Sequence, residues 1–339
     1  MSLIPYLVCD QPGSILLREK QYPVPAPDEA LIAIRTVGIC GTDLHAWAGR
    51  QPYFTYPRIL GHELGAEVIS APAGSGLSPG DRTIVIPYLA CGGCIACRRG
   101  SPNCCVRLQV LGVHTDGGMQ SHISVPVRAL MPVQGLSFEK MALAEPLAIG
   151  AHAVRRAAVG PEDTVLVIGC GPIGLGIICM ARMRGARVWA MDLNPDRLLY
   201  AQAVMGADGG ILAGPAAQAE IADRTGGDLC TVVLDATGHQ GSMEHGIDYM
   251  AHGGRYVLAG LTRETLSFSH PAIHAKETTL LCSRNATRED FETVLDVLKT
   301  GLFPSDSFIT HTVPYTAAPE QFAAWARPET GVIKAMLTW

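Results

Sequence analysis

The chain has 339 residues, of which 48% are hydrophobic and 17% are charged. This composition is typical of a globular protein and excludes intrinsic disorder, and the length predicts two domains. The formal net charge is −5 and no basic run exceeds an arginine pair, so we expect no nucleic-acid-binding surface. Because the N-terminal residues lack a basic region followed by an apolar core, we expect a cytoplasmic protein without a signal peptide.

Apolar runs predict a β-rich first half and an alternating second half. Turns rich in Gly and Pro separate the first predicted strands, at residues 30–37, 64–69 and 83–86. Further strands are predicted at residues 164–168, 187–192, 231–235, 255–259 and 278–282, with helices between them that include 195–205 and 243–251. This alternation predicts a doubly wound parallel sheet. A surface helix at 290–299 and a last strand at 330–339 follow, and we expect this portion to return to the first domain.

A glycine-rich motif follows the predicted strand 164–168. Gly169, Gly171 and Gly174 match G-x-G-x-x-G between an apolar strand and an uncharged helical segment. Such glycines permit a tight turn, a close approach to a pyrophosphate and close helix–strand packing, and we predict that Pro172 and Ile173, between them, also contact the cofactor. The glycines also argue against a membrane helix over this uncharged stretch. We therefore predict a dinucleotide site; the alternative is a packing turn that binds no nucleotide.

An acidic residue indicates which dinucleotide binds. Asp192 ends the second strand of this region, 18 residues after Gly174. A carboxylate at this position accepts a hydrogen bond from a ribose 2′-hydroxyl and repels a 2′-phosphate, which favours NAD over NADP. Arg197 is a complication, since a nearby arginine can accept that phosphate. With Asp192 present, we place Arg197 at the adenosine site.

Five of the eleven cysteines fall between residues 91 and 105. The spacing of Cys91, Cys94, Cys97 and Cys105 suits a tetrahedral site with four thiolate ligands. Zinc is the expected ion and iron is the alternative. Because four ligands leave no position for a substrate, we predict a structural metal. Cys104 competes with Cys105 for the fourth position, and buried free thiols are the other interpretation.

A second group of residues has the chemistry of a catalytic zinc site. Cys40 and His62, with one or both of Glu63 and Glu145, would give three protein ligands and leave a position open. Taken singly, each residue also fits an ordinary role as a buried thiol, a core histidine or a helix N-terminal charge. The residues alone leave both interpretations open.

Together these motifs resemble the zinc-dependent medium-chain alcohol dehydrogenase family over essentially the whole chain. The motifs are residues 38–45, 61–63, 91–105, 145–146 and 169–174. Glu145-Pro146 is similar to the sorbitol/threonine dehydrogenase branch. Residues 37–47, 56–58, 113–118, 276–277 and 283–287 are similar to bacterial L-galactonate/L-gulonate 5-dehydrogenases.

The resemblance implies a GroES-like catalytic domain, formed by residues 1–150 and 286–339. It implies an NAD-binding Rossmann domain at residues 151–285, with the active site in the cleft. Two zinc ions are expected per chain, one structural and one catalytic, the latter on Cys40, His62 and Glu63 and/or Glu145. A homodimer or homotetramer with no membrane association is also implied.

The resemblance further assigns roles near the catalytic zinc. Thr42 and His45 match a proton relay, and Asp43 matches a residue that supports the zinc-binding cysteine and histidine. The reaction that the resemblance implies is oxidation of a secondary alcohol to a ketone with NAD. In this reaction, zinc acts as a Lewis acid and lowers the pKa of the substrate hydroxyl.

The resemblance is less complete at the substrate positions. Trp47 replaces a tyrosine that sorbitol dehydrogenases often carry, and Arg284 matches an arginine that faces the substrate. Arg284 and Asn285 suit a substrate carboxylate, which favours a sugar acid such as L-galactonate or L-gulonate; a salt bridge is the alternative role of Arg284. The other candidate functions are a dehydrogenase of a neutral polyol (sorbitol or galactitol) or L-threonine, and a zinc- and NAD-binding sensor or structural protein.

Overall fold

The computed structural model describes residues 2–51 and 54–339. Its strands are β1 (Leu3–Gln11), β2 (Ser14–Gln21), β3 (Glu29–Ile39), β4 (Glu63–Ser70), β5 (Arg82–Val85), β6 (Tyr88–Leu89), β7 (Gln109–Val110), β8 (His122–Pro126), β9 (Leu130–Pro132), β10 (Thr164–Ile168), β11 (Arg187–Asp192), β12 (Gly209–Leu212), β13 (Cys230–Asp235), β14 (Met250–Leu258), β15 (Thr279–Cys282), β16 (Ile309–Pro314) and β17 (Lys334–Thr338). Its α-helices are α1 (Gly41–Trp47), α2 (Ile95–Arg98), α3 (Phe138–Ala142), α4 (Ala144–Arg156), α5 (Pro172–Met183), α6 (Pro195–Ala203), α7 (Ala217–Arg224), α8 (Gln240–His245), α9 (His270–Ala275), α10 (Arg288–Lys299), α11 (Ser305–Phe308) and α12 (Ala318–Trp325). Among these residues, we find no helix with the length and apolar character that a membrane span requires.

The chain forms two compact units. The first contains Met1–Glu145 and Thr287–Trp339, and the second contains Pro146–Ala286. Each unit has its own sheet and its own buried apolar core.

The second unit is built on a parallel sheet with the strand order β12-β11-β10-β13-β14-β15. Counted from β10, this order is 3-2-1-4-5-6, which is the order of a Rossmann sheet. Residues such as Leu166, Val233 and Tyr256 fill its core, as expected for strands that helices cover on both faces. The prediction of a doubly wound parallel sheet is therefore confirmed.

The helix predicted at residues 243–251 is correct as an α-helix only at its start, and its last two residues belong to a strand. The helix α8 ends at His245, a short 3-10 helix follows at Gly246–Tyr249, and β14 begins at Met250. The hydroxyl of Tyr256 donates to the carbonyl oxygen of Met243 at 2.7 Å, and a Cβ on Gly246 would lie 2.2 Å from the same hydroxyl. Tertiary packing against Tyr256 thus ends the helix, an effect that local periodicity does not report.

The first unit contains a mixed sheet in the order β16-β17-β3-β4-β5-β9, and β8 also pairs with β3. The last strand, β17, is antiparallel to β3, with Ala335 opposite Ile39. The C-terminal segment therefore joins the sheet formed by the first part of the chain. This strand is shorter than the predicted 330–339, because a 3-10 helix occupies Pro328–Thr330 and Gly331 adopts a φ of 65°.

Candidate active site and metal centres

Cys40 and His62 lie side by side because of the pairing of β3 with β4. Gly38 is opposite Glu63 in this antiparallel pair, so Cys40 follows one strand where His62 precedes the other. The ligand atoms of Cys40, His62 and Glu63 all lie within 4.8 Å of one another. This group brings together sulfur, nitrogen and oxygen donors, which are the donors that zinc takes in proteins.

Asp43 holds the two segments that carry these residues. Its carboxylate is fully buried and accepts hydrogen bonds from the backbone N–H groups of Cys40, at 2.9 Å, and Gly61, at 3.3 Å. The Nδ1 atom of His62 lies 3.7 Å from Oδ1 of Asp43. Asp43 thus positions the cysteine and the histidine together, as an outer-shell carboxylate does.

The electrostatics of the group favour a cation. Burial opposes a charge on His62, but Asp43 and then Cys40 raise the pKa of His62 well above its ordinary value. Within the described residues, the buried Nδ1 atom of His62 has no hydrogen-bond partner. A largely buried set of anionic and neutral donors that stabilises positive charge fits a divalent metal ion.

A fully buried lysine neutralises Glu63. The Nζ atom of Lys334 lies 2.7 Å from each carboxylate oxygen of Glu63 and 3.1 Å from the carbonyl oxygen of Ile39. Gly38 makes room for this pair, since a Cβ at that position would lie 2.1 Å from Oε2 of Glu63. Both oxygens of the Glu63 carboxylate therefore interact with Lys334.

Glu145 falls outside the group of Cys40, His62 and Glu63, although its charge acts on His62. It lies at the start of α4, and its Oε1 atom accepts a hydrogen bond from the hydroxyl of Tyr88. Sequence reasoning missed both Tyr88 and Lys334. Lys334 could have been noticed, because it is the one charged residue of the apolar segment Lys334–Thr338. No feature of the sequence pointed to Tyr88.

The residues predicted to relay protons share one helix. Thr42 and His45 lie three residues apart on α1 and therefore on the same face. Thr42 is half-buried and His45 is exposed, so the pair leads from the interior towards the surface. Trp47 ends the same helix and packs partly against the apolar core of the first unit. The roles of these three residues stay predictions.

The four predicted cysteine ligands converge in a segment that we call the cysteine lobe, residues 91–113. The sulfur atoms of Cys91, Cys94, Cys97 and Cys105 lie within 4.8 Å of one another. Cys104 is exposed and outside this group, so the structure favours Cys105 as the fourth ligand.

The environment favours the thiolate at Cys91 and Cys94, whereas burial and then the hydrogen bond with Cys94 raise the pKa of Cys97 to about 11. A hydrogen bond from Arg107, followed by one from the backbone of Gly93, lowers the pKa of Cys91 to about 5. The backbone N–H of Cys97 contributes most to lowering the pKa of Cys94 to about 7. Because the thiolate is the form that binds metal, the four cysteines fit a closed zinc site.

The glycine-rich motif forms a tight turn between β10 and α5. Gly169 has a φ of 90°, and a Cβ on Gly174 would lie 1.7 Å from the carbonyl oxygen of Gly169. The backbone N–H of Cys170 donates to Oδ2 of Asp192 at 2.6 Å. A Cβ on Gly171 would lie 4.0 Å from a guanidinium nitrogen of Arg197.

The helix α5 starts directly at this turn. Gly171 is its N-cap, Pro172 is its first residue and Ile173 follows. The N-terminus of α5 thus has a positive partial charge and N–H groups without partners inside the helix, which suits a pyrophosphate.

Arg284 and Asn285 follow β15 in the second unit. Arg284 is exposed, and Asn285 adopts a φ of 54°. Their predicted contact with a substrate stays a prediction.

Two family models match the chain and define its class. The model of the alcohol dehydrogenase GroES-like domain matches residues 26–135, and that of the zinc-binding dehydrogenase matches residues 172–300. The chain therefore belongs to the zinc-dependent alcohol dehydrogenase family. This result confirms the family and the fold that the sequence motifs predict, and it supports an enzyme of the alcohol or polyol dehydrogenase type.

Individual relatives extend over the whole chain. L-galactonate-5-dehydrogenase from Escherichia coli K12 is 41% identical over 343 residues, covering 100% of each chain. Erythritol/L-threitol dehydrogenase from Mycolicibacterium smegmatis is 32% identical, covering 91% of each. Among solved structures, an alcohol dehydrogenase (RspB) from Escherichia coli CFT073, complexed with NADH, has a TM-score of 0.92 at 28% identity and covers 100% of both chains.

Proposed function

We propose that this protein oxidises a secondary alcohol of a sugar acid, of the L-galactonate or L-gulonate class, to the 5-keto acid with NAD. The observation that carries the oxidation is the group of half-buried Cys40 with buried His62 and Glu63, beside Asp43. The substrate class is supported by the relative that acts on L-galactonate, which is 41% identical over the full length of both chains.

Cys40 and His62 would hold the catalytic zinc, with Glu63 and Glu145 as the candidates for the third ligand. Zinc bound at such a site acts as a Lewis acid and lowers the pKa of a hydroxyl group. Glu63 is paired with Lys334, so it contributes little net charge to the group. Asp43 orients the cysteine and the histidine, and the cysteine lobe would hold the second, structural zinc.

The glycine-rich turn and Asp192 would hold NAD, which supplies the hydride acceptor. The N-terminus of α5 would face the pyrophosphate, and the carboxylate of Asp192 would accept the ribose hydroxyl. The backbone N–H of Cys170 already fixes this carboxylate at the end of β11. Arg197 would line the adenosine site.

Thr42 and His45 would move the proton that the substrate releases. The hydroxyl oxygen of half-buried Thr42 would accept this proton as the hydroxyl gives its own proton to the imidazole of exposed His45. The imidazole would then release a proton to water. Their position on one face of α1 supports a single path for this proton.

The substrate class is tested by NADH formation with L-galactonate, L-gulonate, sorbitol, galactitol and L-threonine at matched concentrations. Each is assayed with NAD and NADP, before and after chelation. NADH formation confined to an aldonate and NAD, and lost on chelation, supports the proposal. The erythritol/L-threitol relative makes neutral polyols the main alternative substrates. Activity on neutral polyols alone would refute the assignment of a sugar acid, but it would remain consistent with zinc- and NAD-dependent oxidation of an alcohol.

Arg284 is the candidate for recognition of the substrate carboxylate. Because a hydrogen bond to a charged group is worth about 1.5–3 kcal/mol, we expect Arg284→Met to raise KM for the aldonate about 10–100-fold. Arg184→Met is the matched control, since Arg184 is an exposed arginine at the C-cap of α5. An equal loss on an aldonate and on a neutral polyol would exclude the carboxylate role.

A further inference from the structure

The ring of Tyr88 packs against the cysteine lobe. This residue starts β6, which pairs with β7 so that Tyr88 lies opposite Val110. Its ring packs against the buried apolar cluster of the lobe, which includes Leu108 and Val113 and is also contacted by Cys94. The chain reaches the first cysteine of the lobe only three residues after Tyr88. The orientation of the ring therefore depends on the order of the lobe.

The other end of Tyr88 reaches Glu145, a candidate ligand of the catalytic zinc. Its hydroxyl donates to Oε1 of Glu145, a residue that is 5% exposed and whose charge acts on His62. Phe291, which is fully buried on α10, lies against the ring of Tyr88 with the ring centroids 6.2 Å apart. A buried carboxylate needs a donor, and here a rigid aromatic side chain provides it from a fixed position.

We propose that Tyr88 is a positioning residue that couples the cysteine lobe to the catalytic metal centre. Its hydroxyl fixes one oxygen of Glu145, while its ring is held by the lobe, so that an ordered lobe keeps Glu145 directed at the group of Cys40 and His62. The inference rests on the proposed function, because it requires metal at both sites. It assigns the structural zinc a role beyond stabilising its own segment.

The first test is the rate at which each zinc passes from the holoenzyme to a chromophoric chelator. Release of the catalytic zinc is identified as the phase that is lost in His62→Ala, and release of the structural zinc as the phase that is lost in Cys97→Ser. We expect Tyr88→Phe, which keeps the ring and removes the hydroxyl, to accelerate the catalytic phase about 10–100-fold, as loss of an outer-shell partner does. The structural phase should remain unchanged.

The matched control is Tyr256→Phe, which removes another buried phenol hydroxyl, bonded to a backbone oxygen in the second unit. Both variants lose one buried hydrogen bond and some thermal stability, but only Tyr88→Phe should change zinc release. Cobalt(II) substituted at the catalytic site gives a second readout, because its visible absorption depends on ligand geometry. An unchanged release rate and an unchanged cobalt spectrum in Tyr88→Phe would overturn the proposal.

The coupling itself is tested by a double-mutant cycle. Val110→Ala loosens the lobe where it pairs with Tyr88, and we expect it to speed release of the catalytic zinc in the wild-type background. In the Y88F background it should add nothing, because the connection is already lost. An equal effect in both backgrounds would overturn the coupling. A wild-type chain that binds a single zinc, lost in Cys97→Ser, would overturn the proposed function together with this inference.

Discussion

The buried pair of Lys334 and Glu63 gives the sharpest stability prediction. The lysine side chain is 1% exposed and the glutamate side chain 0%, and both carboxylate oxygens lie 2.7 Å from Nζ. Lys334→Met leaves the carboxylate buried without its partner, which costs about 3–5 kcal/mol of unfolding free energy. At about 2–4 °C per kcal/mol for a unit of this size, Tm should fall by about 6–20 °C.

The measurement is scanning calorimetry at a constant free zinc concentration, because bound metal stabilises the folded state on its own. The control is Lys140→Met, which breaks the exposed pair of Lys140 and Asp306 in the same unit and should cost at most about 1 kcal/mol. Combining Lys334→Met with Glu63→Gln removes the unpaired charge and should restore part of the loss. A shift in Lys334→Met no larger than that in Lys140→Met would refute the reasoning.

Three further predictions concern the nucleotide turn and the cysteine lobe. Gly174→Ala places a Cβ 1.7 Å from a backbone oxygen of the glycine-rich turn and should lower Tm and raise KM for NAD, whereas Gly160→Ala, with open space at its Cβ, should do neither. A normal KM for NAD in Gly174→Ala would contradict the assigned turn. Asp192→Ser should raise KM for NAD about tenfold or more and narrow the preference for NAD over NADP, since a charged acceptor is lost; an unchanged cofactor preference in steady-state kinetics would exclude the ribose contact. Cys97→Ser should remove one zinc per chain by elemental analysis and lower Tm, while Cys104→Ser, outside the sulfur group, should retain both ions.

The parts of the molecule that could be predicted from the sequence are those whose residues lie close together along the chain. The glycine-rich turn lies within a single strand–turn–helix segment, and its glycines indicate a tight turn because other residues rarely adopt the required backbone conformation. The sulfur group likewise lies within fifteen residues, although only the structure separates Cys105 from Cys104. Alternating apolar strands and helices predicted the parallel sheet for the same local reason.

The contacts that escaped prediction join distant parts of the chain. Lys334 and Glu63 are 271 residues apart and meet because β17 and β4 both flank β3. Tyr88 and Glu145 are 57 residues apart, and no periodicity links them. The end of α8 depends on Tyr256, which arrives from a later strand. Such pairings are set by sheet order and packing, so they become visible only in the folded chain.

The central claim is that Cys40 and His62 hold a metal ion required for oxidation of a secondary alcohol by NAD. The most direct measurement compares zinc content and NADH formation from L-galactonate in the wild-type protein and in His62→Ala, with NAD binding recorded for both. We predict two zinc ions per chain and NADH formation in the wild type, and one zinc ion, normal NAD binding and no NADH formation in His62→Ala. A His62→Ala variant that retains both zinc ions and the full rate of NADH formation would contradict the assignment of this site.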